Sequence, residues 1–180
     1  MNRLILFCLL TSTFIFCQEV EKENWRVSSK QSFISYKGKH ILHEWSGLNK
    51  NIRGVLVLKN NQPTKIAILT AIKDFNSGNS GRDSHALEVL EVLLHPGVSF
   101  FGDYFTLKDN NFTISGKIAF HGLEKNVQIQ GTWERKKEKI ILKGEFDVKP
   151  TDFQIKLPDF MLVKIEDNLK IKYELIFIKE

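Results

Sequence analysis

The chain has 180 residues and a formal net charge of +5 at pH 7, and its two cysteines, Cys8 and Cys17, both lie near the N-terminus. Its lysines are spread over the polar positions of predicted strands, whereas a nucleic-acid-binding surface would group them on one face with aromatic residues between them. The composition therefore argues against nucleic acid as a partner. A chain that loses residues 1–17 also has no thiol left for catalysis or for a disulfide.

The N-terminal segment, residues 1–17, has the pattern of an export signal. A basic residue near its start precedes the apolar runs LILFCLL and FIF, and Cys17 is followed by Gln18 at a suitable cleavage point. The apolar run is too short to span a membrane, and the large Phe16 disfavours lipid attachment to Cys17. We therefore expect cleavage near Cys17/Gln18, a periplasmic or secreted protein without stable membrane insertion, and one domain over residues 24–180.

Four short strands are predicted in the first part of the chain, at residues 25–27, 33–36, 54–58 and 65–72. The last of them, KIAILTAI, is apolar in both alternating phases, which is typical of a strand covered on two sides. We expect the barrel interior on one side and a helix on the other. The run FNSGNSG that follows is rich in glycine and asparagine and predicts a loop.

The only helix predicted spans about residues 84–94. Asp83 or Ser84 can cap its start, and the pair His95-Pro96 would end it. Apolar residues recur in it at spacings of three and four, which gives the helix one apolar side. These residues are Ala86, Val89, Leu90, Leu93 and Leu94.

The clearest pattern lies between residues 111 and 148, where apolar residues occupy every second position of three consecutive segments. This period predicts an antiparallel meander of three strands. Gly116, Gly131 and Gly144 fall in the apolar phase, where a missing side chain leaves either room inside a closed sheet or a point of bending. A barrel with interior space explains both. The alternating C-terminal segment can close such a barrel by pairing with the first strand.

The apolar phase is expected to point into the barrel, because the opposite phase carries lysine, glutamate and glutamine side chains that are costly to bury. In the strand before the meander, Phe100, Gly102 and Tyr104 share one phase. The residues predicted to line the interior are Phe100, Ile114, Ile118, Phe120, Ile129, Trp133, Leu142, Phe146, Ile171 and Tyr173.

The histidines do not form a metal-binding pattern in the sequence. His40 and His43 are three residues apart, which in a strand places them on opposite faces. A zinc site would need a local turn there and His85, His95 or His121 from elsewhere. His121 is instead expected in a hairpin turn, and His95 at the end of the helix. We predict no metal site.

Catalytic motifs are also absent from the sequence. It contains no nucleophile elbow, no phosphate-binding glycine loop and no HExxH pattern. Glu88 and Glu91, three apart on the predicted helix, are expected on its solvated side. We predict a non-enzymatic protein with no catalytic residue and no cofactor.

Several motifs in order resemble the YceI-like family from about Trp25 to Glu180. They are RDSH before the helix, HPGVSF after it, the strand SGKIAFHG and the turn Thr151-Asp152-Phe153. The resemblance implies an all-β fold, an eight-stranded antiparallel lipocalin-like barrel with one short helix. It also implies an exported protein that holds a long isoprenoid chain in the lumen.

The predicted function is therefore the binding of a long apolar lipid, an isoprenoid or a similar chain. Arg82, Asp83 and His85 are candidates to contact a polar ligand head at the barrel mouth; the alternative is that Asp83 caps the helix and His85 is an exposed first-turn residue. A structural, interaction or stress-related scaffold without bound lipid remains the alternative function. The oligomeric state is open, with a homodimer among the alternatives.

Overall fold

The computed structural model describes residues 21–160 and 163–180, so the predicted signal segment lies outside the described residues. Within these ranges, no helix is long and apolar enough to cross a membrane. Two 3₁₀ turns, Ile72–Asp74 and Pro150–Phe153, accompany the regular elements. These elements are β1 (Lys22–Val27), β2 (Phe33–His40), β3 (His43–Asn49), β4 (Ile52–Lys59), β5 (Gln62–Ala71), α1 (Ser80–Val89), β6 (Gly97–Lys108), β7 (Asn111–Phe120), β8 (Leu123–Lys136), β9 (Lys139–Val148), β10 (Asp159–Phe160), β11 (Val163–Lys164) and β12 (Leu169–Lys179).

Eight of these strands form a closed antiparallel barrel, as predicted. The order around the barrel is β1-β4-β5-β6-β7-β8-β9-β12, and β12 then pairs with β1. In that last pairing Trp25 stands opposite Lys179 and Val27 opposite Phe177. The first and last strands therefore close the barrel, and closure leaves no unpaired edge between them.

The hairpin of β2 and β3 adds two further strands beside β12. The first part of β12 pairs with β2, with Ile171 opposite Tyr36, and β2 pairs with β3. A two-residue turn at Ile41 and Leu42 places His40 directly opposite His43. The two histidines are thus cross-strand neighbours, with ring centroids 5.6 Å apart, and the prediction of opposite faces is wrong.

Apolar side chains fill the barrel interior at one end. Trp25, Leu56, Leu58, Ile140 and Phe177 are at most 1 % exposed and pack together in the larger apolar cluster. In the meander and β12, the apolar phase points inward and the polar phase faces water. The polar residues of that outer phase are Lys117, Gln128, Gln130, Lys143, Glu145 and Lys172, all exposed.

The three glycines of the meander do not open space in the barrel. A β-carbon on Gly116 would meet Phe100 at 2.9 Å, and one on Gly144 would meet the Tyr173 hydroxyl at 2.5 Å. At these positions aromatic rings and the neighbouring strand take the place of a side chain. The prediction that the glycines mark interior room is therefore wrong, although the barrel does contain a cavity.

The helix α1 begins and ends earlier than predicted. Asn79, rather than Asp83 or Ser84, caps it, because the Asn79 side chain accepts a hydrogen bond from the backbone N–H of Arg82. The helix ends at Val89, and the following turn leaves Leu93 96 % exposed. The helix does not cover the outer side of β5, where Leu69 is 48 % exposed.

Candidate ligand cavity

The unfilled part of the barrel forms one cavity of about 660 Å³. Small-molecule sites in proteins typically measure roughly 300 to 1,000 Å³, so this volume fits a sizeable ligand. Strands β5 to β9 and β12 form its walls. Helix α1 and the segment Pro150–Asp159 contribute further lining residues, among them Ala86, Leu87, Leu90, Ile155 and Leu157.

Nine of the ten residues predicted to line the interior contribute to the cavity wall. They are Phe100, Ile114, Ile118, Phe120, Ile129, Leu142, Phe146, Ile171 and Tyr173. Trp133 is the exception and packs against the larger apolar cluster instead. It lies opposite Leu142 and two residues beyond Gly131, where Phe112 and the solid end of the interior already fill the barrel.

The middle of the cavity wall is apolar. Phe146 and Tyr173 lie side by side with ring centroids 6.2 Å apart, and Ile114 stands opposite Ile129 on the neighbouring strands. The Tyr173 hydroxyl lies 3.4 Å from the carbonyl oxygen of Gln130, to which it donates. Burial raises the pKa of Tyr173, so its hydroxyl stays neutral and adds no charge to this part of the wall.

The polar lining residues come mainly from α1 and from the β2–β3 hairpin. Arg82, Asp83 and His85, the predicted head-group contacts, all line the cavity from α1. The hairpin contributes Tyr36 and His40, and its His43 lines the cavity as well. The arrangement gives one region of the cavity polar groups, while the remaining wall is almost entirely hydrocarbon.

The side chains of the three predicted head-group contacts differ in the hydrogen bonds and ion pairs that they already make within the protein. Both carboxylate oxygens of Asp83 accept from the backbone N–H of Ser77 at 3.2 Å, so Asp83 fixes the loop before the helix. The His85 side chain is 60 % exposed and its Nδ1 lies 3.7 Å from Glu88. Within residues 21–160 and 163–180, the Arg82 guanidinium makes no ion pair or side-chain hydrogen bond, so it is the most available of the three for a ligand.

Tyr36 is a polar lining residue that the sequence reading missed. Its pKa is raised, first by burial and then by the nearby carboxylate of Asp83, while Arg82 acts in the opposite direction. The phenol is therefore a neutral hydrogen-bond donor close to Arg82. The alternation of Ile34 and Tyr36 with exposed Lys37 and Lys39 was the signal that could have identified it.

The comparisons with known proteins agree with this architecture. The sequence profile of the YceI-like domain matches residues 25–177. The crystal structure of BcnA from Burkholderia cenocepacia is similar with a TM-score of 0.75 at 15 % identity, over 83 % of this chain and 98 % of that chain. A polyisoprenoid-binding domain from Saccharophagus degradans, implicated in plant cell wall breakdown, has a TM-score of 0.70 at 12 % identity, over 87 % and 98 %.

A third similar structure is the YCEI protein of Campylobacter jejuni, with a TM-score of 0.62 at 19 % identity, over 79 % of this chain and 89 % of that chain. No curated protein sequence matches the chain. At these identities the structural likeness establishes the fold, and the profile match covers nearly the whole described chain.

Proposed function

Because the chain belongs to the YceI-like family, we propose that it is a non-enzymatic binding protein that holds one long apolar lipid in its barrel. The observation that carries the proposal is the cavity of about 660 Å³ with a hydrocarbon wall and polar groups from α1 and the β2–β3 hairpin. The similarity to a structure described as a polyisoprenoid-binding domain supports an isoprenoid or a similar chain as the ligand.

The energetics favour a long chain over a short one. Burying one methylene contributes roughly 0.8 kcal/mol. Association costs on the order of 4 to 15 kcal/mol in lost translational and rotational freedom. A chain of about twenty carbons gains roughly 16 kcal/mol gross, whereas a tail of a few carbons gains too little to remain bound. The same sum does not distinguish an isoprenoid from a fatty chain of equal length.

In the bound state, the polar head of the ligand is proposed to lie between α1 and the β2–β3 hairpin. There Arg82 offers a cation and Tyr36 a neutral hydroxyl, and both line the cavity. The tail then runs along Ile129 and Phe146 toward the solid end of the barrel. This orientation leaves no polar ligand atom against the hydrocarbon wall, where it would lack a hydrogen-bond partner.

We also propose that the protein is exported, on the basis of the signal pattern in residues 1–17. An exported carrier meets the lipids of the cell envelope or its surroundings. The intact mass of the protein recovered outside the cytoplasm tests this: a chain starting near Gln18 is expected. Retention of residues 1–17, or a lipid attached to Cys17, would contradict the proposal.

Mass spectrometry of an organic extract tests the binding function. Protein produced in its native source and purified without detergent should release a long apolar molecule, close to one per chain. A mock purification from cells lacking the protein is the blank. An extract that matches the blank, from protein that remains folded, would favour the alternative of a scaffold without bound lipid.

A further inference from the structure

Two histidines and a glutamate converge outside the cavity lining. Glu91 and His95 belong to the turn that follows α1, and His121 belongs to the turn between β7 and β8. The ligand atoms that these three side chains offer all lie within 4.8 Å of one another. The two turns are far apart in sequence, so only the folded barrel brings the three side chains together.

The orientation of His121 leaves one ring nitrogen with a free lone pair. Its Nδ1 lies 3.0 Å from the carbonyl oxygen of Phe153, and because a carbonyl only accepts, Nδ1 must carry the hydrogen. In the neutral ring Nε2 is then an acceptor. This nitrogen is buried and makes no hydrogen bond within the described part of the chain. A histidine held by a backbone carbonyl on one nitrogen and open on the other is the usual arrangement of a metal ligand.

The group that faces this nitrogen is also an acceptor. Glu91 Oε2 lies 3.1 Å from His121 Nε2, so two lone pairs face each other unless a proton or a metal cation lies between them. Two ligands of a tetrahedral zinc ion, each about 2.0–2.1 Å from the metal, stand about 3.3 Å apart. The observed separation is close to that value. The His95 ligand atom lies within 4.8 Å of the other two, so His95 is the candidate for the third ligand.

The backbone is strained at two of the three residues. Glu91 and His121 both have left-handed backbone angles, with φ of 46° and 49°, which residues other than glycine rarely adopt. The His95 ring packs on the His121 ring at 4.6 Å. It fits there because residue 122 is glycine: a β-carbon at Gly122 would stand 2.8 Å from His95 Cε1.

We propose that Glu91, His95 and His121 bind one divalent transition-metal ion of the zinc type, with water completing the coordination. Two imidazole nitrogens and one carboxylate suit Zn²⁺ and its neighbours, whereas Ca²⁺ and Mg²⁺ prefer oxygen ligands alone. The ion joins the turn after α1 to the β7–β8 turn, and through His121 it reaches the Pro150–Phe153 turn. Helix α1 and the Pro150–Phe153 turn both border the cavity, so the ion would hold these two segments in place beside it.

Metal titration of tag-free, chelator-treated protein tests the proposal. We expect uptake of one Co²⁺ per chain with visible absorption of a tetrahedral site, displacement of Co²⁺ by Zn²⁺, and a higher melting temperature with Zn²⁺. The variants Glu91→Gln and His121→Asn should each weaken metal binding at least about tenfold. Mutation of a residue that only hydrogen-bonds to a metal ligand already costs about tenfold or more in affinity, and loss of a ligand should cost no less. Asparagine suits position 121 because it tolerates left-handed backbone angles.

The matched control for Glu91→Gln is Glu134→Gln, which changes an exposed glutamate that pairs with Lys136 and lies outside both the cluster and the cavity lining. It should bind metal as the wild type does. If His121→Asn fails to fold, the variants His95→Ala and Glu91→Gln provide the same test, because Glu91 is exposed and its replacement should not disturb folding. Wild-type protein that takes up no Co²⁺ or Zn²⁺, or variants that bind as tightly as wild type, would overturn the proposal and leave a proton shared between Glu91 and His121.

Discussion

The ring of Phe112 covers the position that a side chain on Gly131 would occupy. A β-carbon at residue 131 would lie 2.8 Å from Phe112 Cζ and closer still to the carbonyl oxygen of Lys143. The two residues stand opposite each other on β7 and β8. Gly131 is therefore a site of close packing between a ring and a backbone, and it does not contribute to the cavity.

Replacing Gly131 by alanine is expected to lower the free energy of unfolding by roughly 1 to 3 kcal/mol, because the added methyl group has no room. The matched control is Gly81→Ala in α1, where a β-carbon meets nothing closer than 3.4 Å. That change should be neutral or stabilise the protein by up to about 1 kcal/mol, since alanine is the better helix former. Urea unfolding measures both. Equal stability of Gly131→Ala and wild type would contradict the packing described here.

The sequence identified the inward face of the meander correctly because alternation depends on burial alone. Lys117 and Gln128 are costly to bury and therefore face water, so Ile114 and Ile129, in the opposite phase of the same strands, point inward. Alternation does not reveal what fills the space above each residue. A gap over Gly131 and a ring over Gly131 produce the same pattern, so the role of the glycines could be learned only from the fold.

Local irregularities explain most of the other differences. A β-bulge between Gly102 and Tyr104 changes the phase of β6, and Tyr104 is 66 % exposed in consequence. Leu93 continues the spacing of a helix, but the chain turns at Glu91 with a positive φ and the helix has already ended. The cluster of Glu91 with the two histidines depends on such turns, and periodicity carries no signal for it.

Filling part of the cavity should weaken lipid binding without unfolding the barrel. Ala86 lines the cavity from α1, so Ala86→Phe puts a ring where the ligand would lie. Displacing about two methylenes of the ligand removes roughly 1.6 kcal/mol, which weakens binding more than tenfold. Fluorescence titration of delipidated protein with a polyene lipid measures the change.

The control for cavity filling is Ala67→Phe on the exposed outer face of β5. It adds the same ring outside the barrel and should leave the affinity unchanged. Equal affinity of Ala86→Phe and Ala67→Phe, with both proteins folded, would place the bound lipid somewhere other than the cavity.

Arg82 is expected to select for the charge of the ligand head. Arg82→Gln should weaken binding of a prenyl phosphate by roughly 1.5 to 3 kcal/mol, the value of a hydrogen bond to a charged group. Binding of the uncharged prenol of the same length should change little. Arg53→Gln, on the exposed side of β4, is the control. Calorimetric titration with both ligands would refute the head placement if Arg82→Gln affected them equally.

Glu23 should make the barrel sensitive to acid at the seam between β1 and β12. Its carboxylate, only 8 % exposed, accepts from Trp25 Nε1 at 3.0 Å and pairs with Lys179 at 2.5 Å and Arg135 at 3.2 Å. The hydrogen bonds from Lys179 and then from Trp25 hold the pKa of Glu23 below its ordinary value of 4.5. The unfolded chain therefore takes up this proton first as the pH falls.

The contribution of Glu23 to stability is consequently complete above about pH 4.5 and is lost as the pH falls toward the lower folded-state pKa. Glu23→Gln should reduce the free energy of unfolding at pH 7 by roughly 1 to 3 kcal/mol. Its unfolding free energy should also fall less steeply than that of the wild type below about pH 4.5. Parallel curves for the two proteins, measured by urea unfolding across this range, would contradict the assignment.

Photocrosslinking with a long prenyl probe that carries a diazirine on its tail tests the central claim most directly. After irradiation, digestion and mass spectrometry, adducts are expected on the inward residues of the walls, such as Ile129, Phe146 and Tyr173. Competition with unlabelled prenol should remove them. Adducts confined to outward side chains such as Phe101 and Tyr104, which are 48 % and 66 % exposed, or adducts that resist competition, would contradict the account of a lipid held inside the barrel.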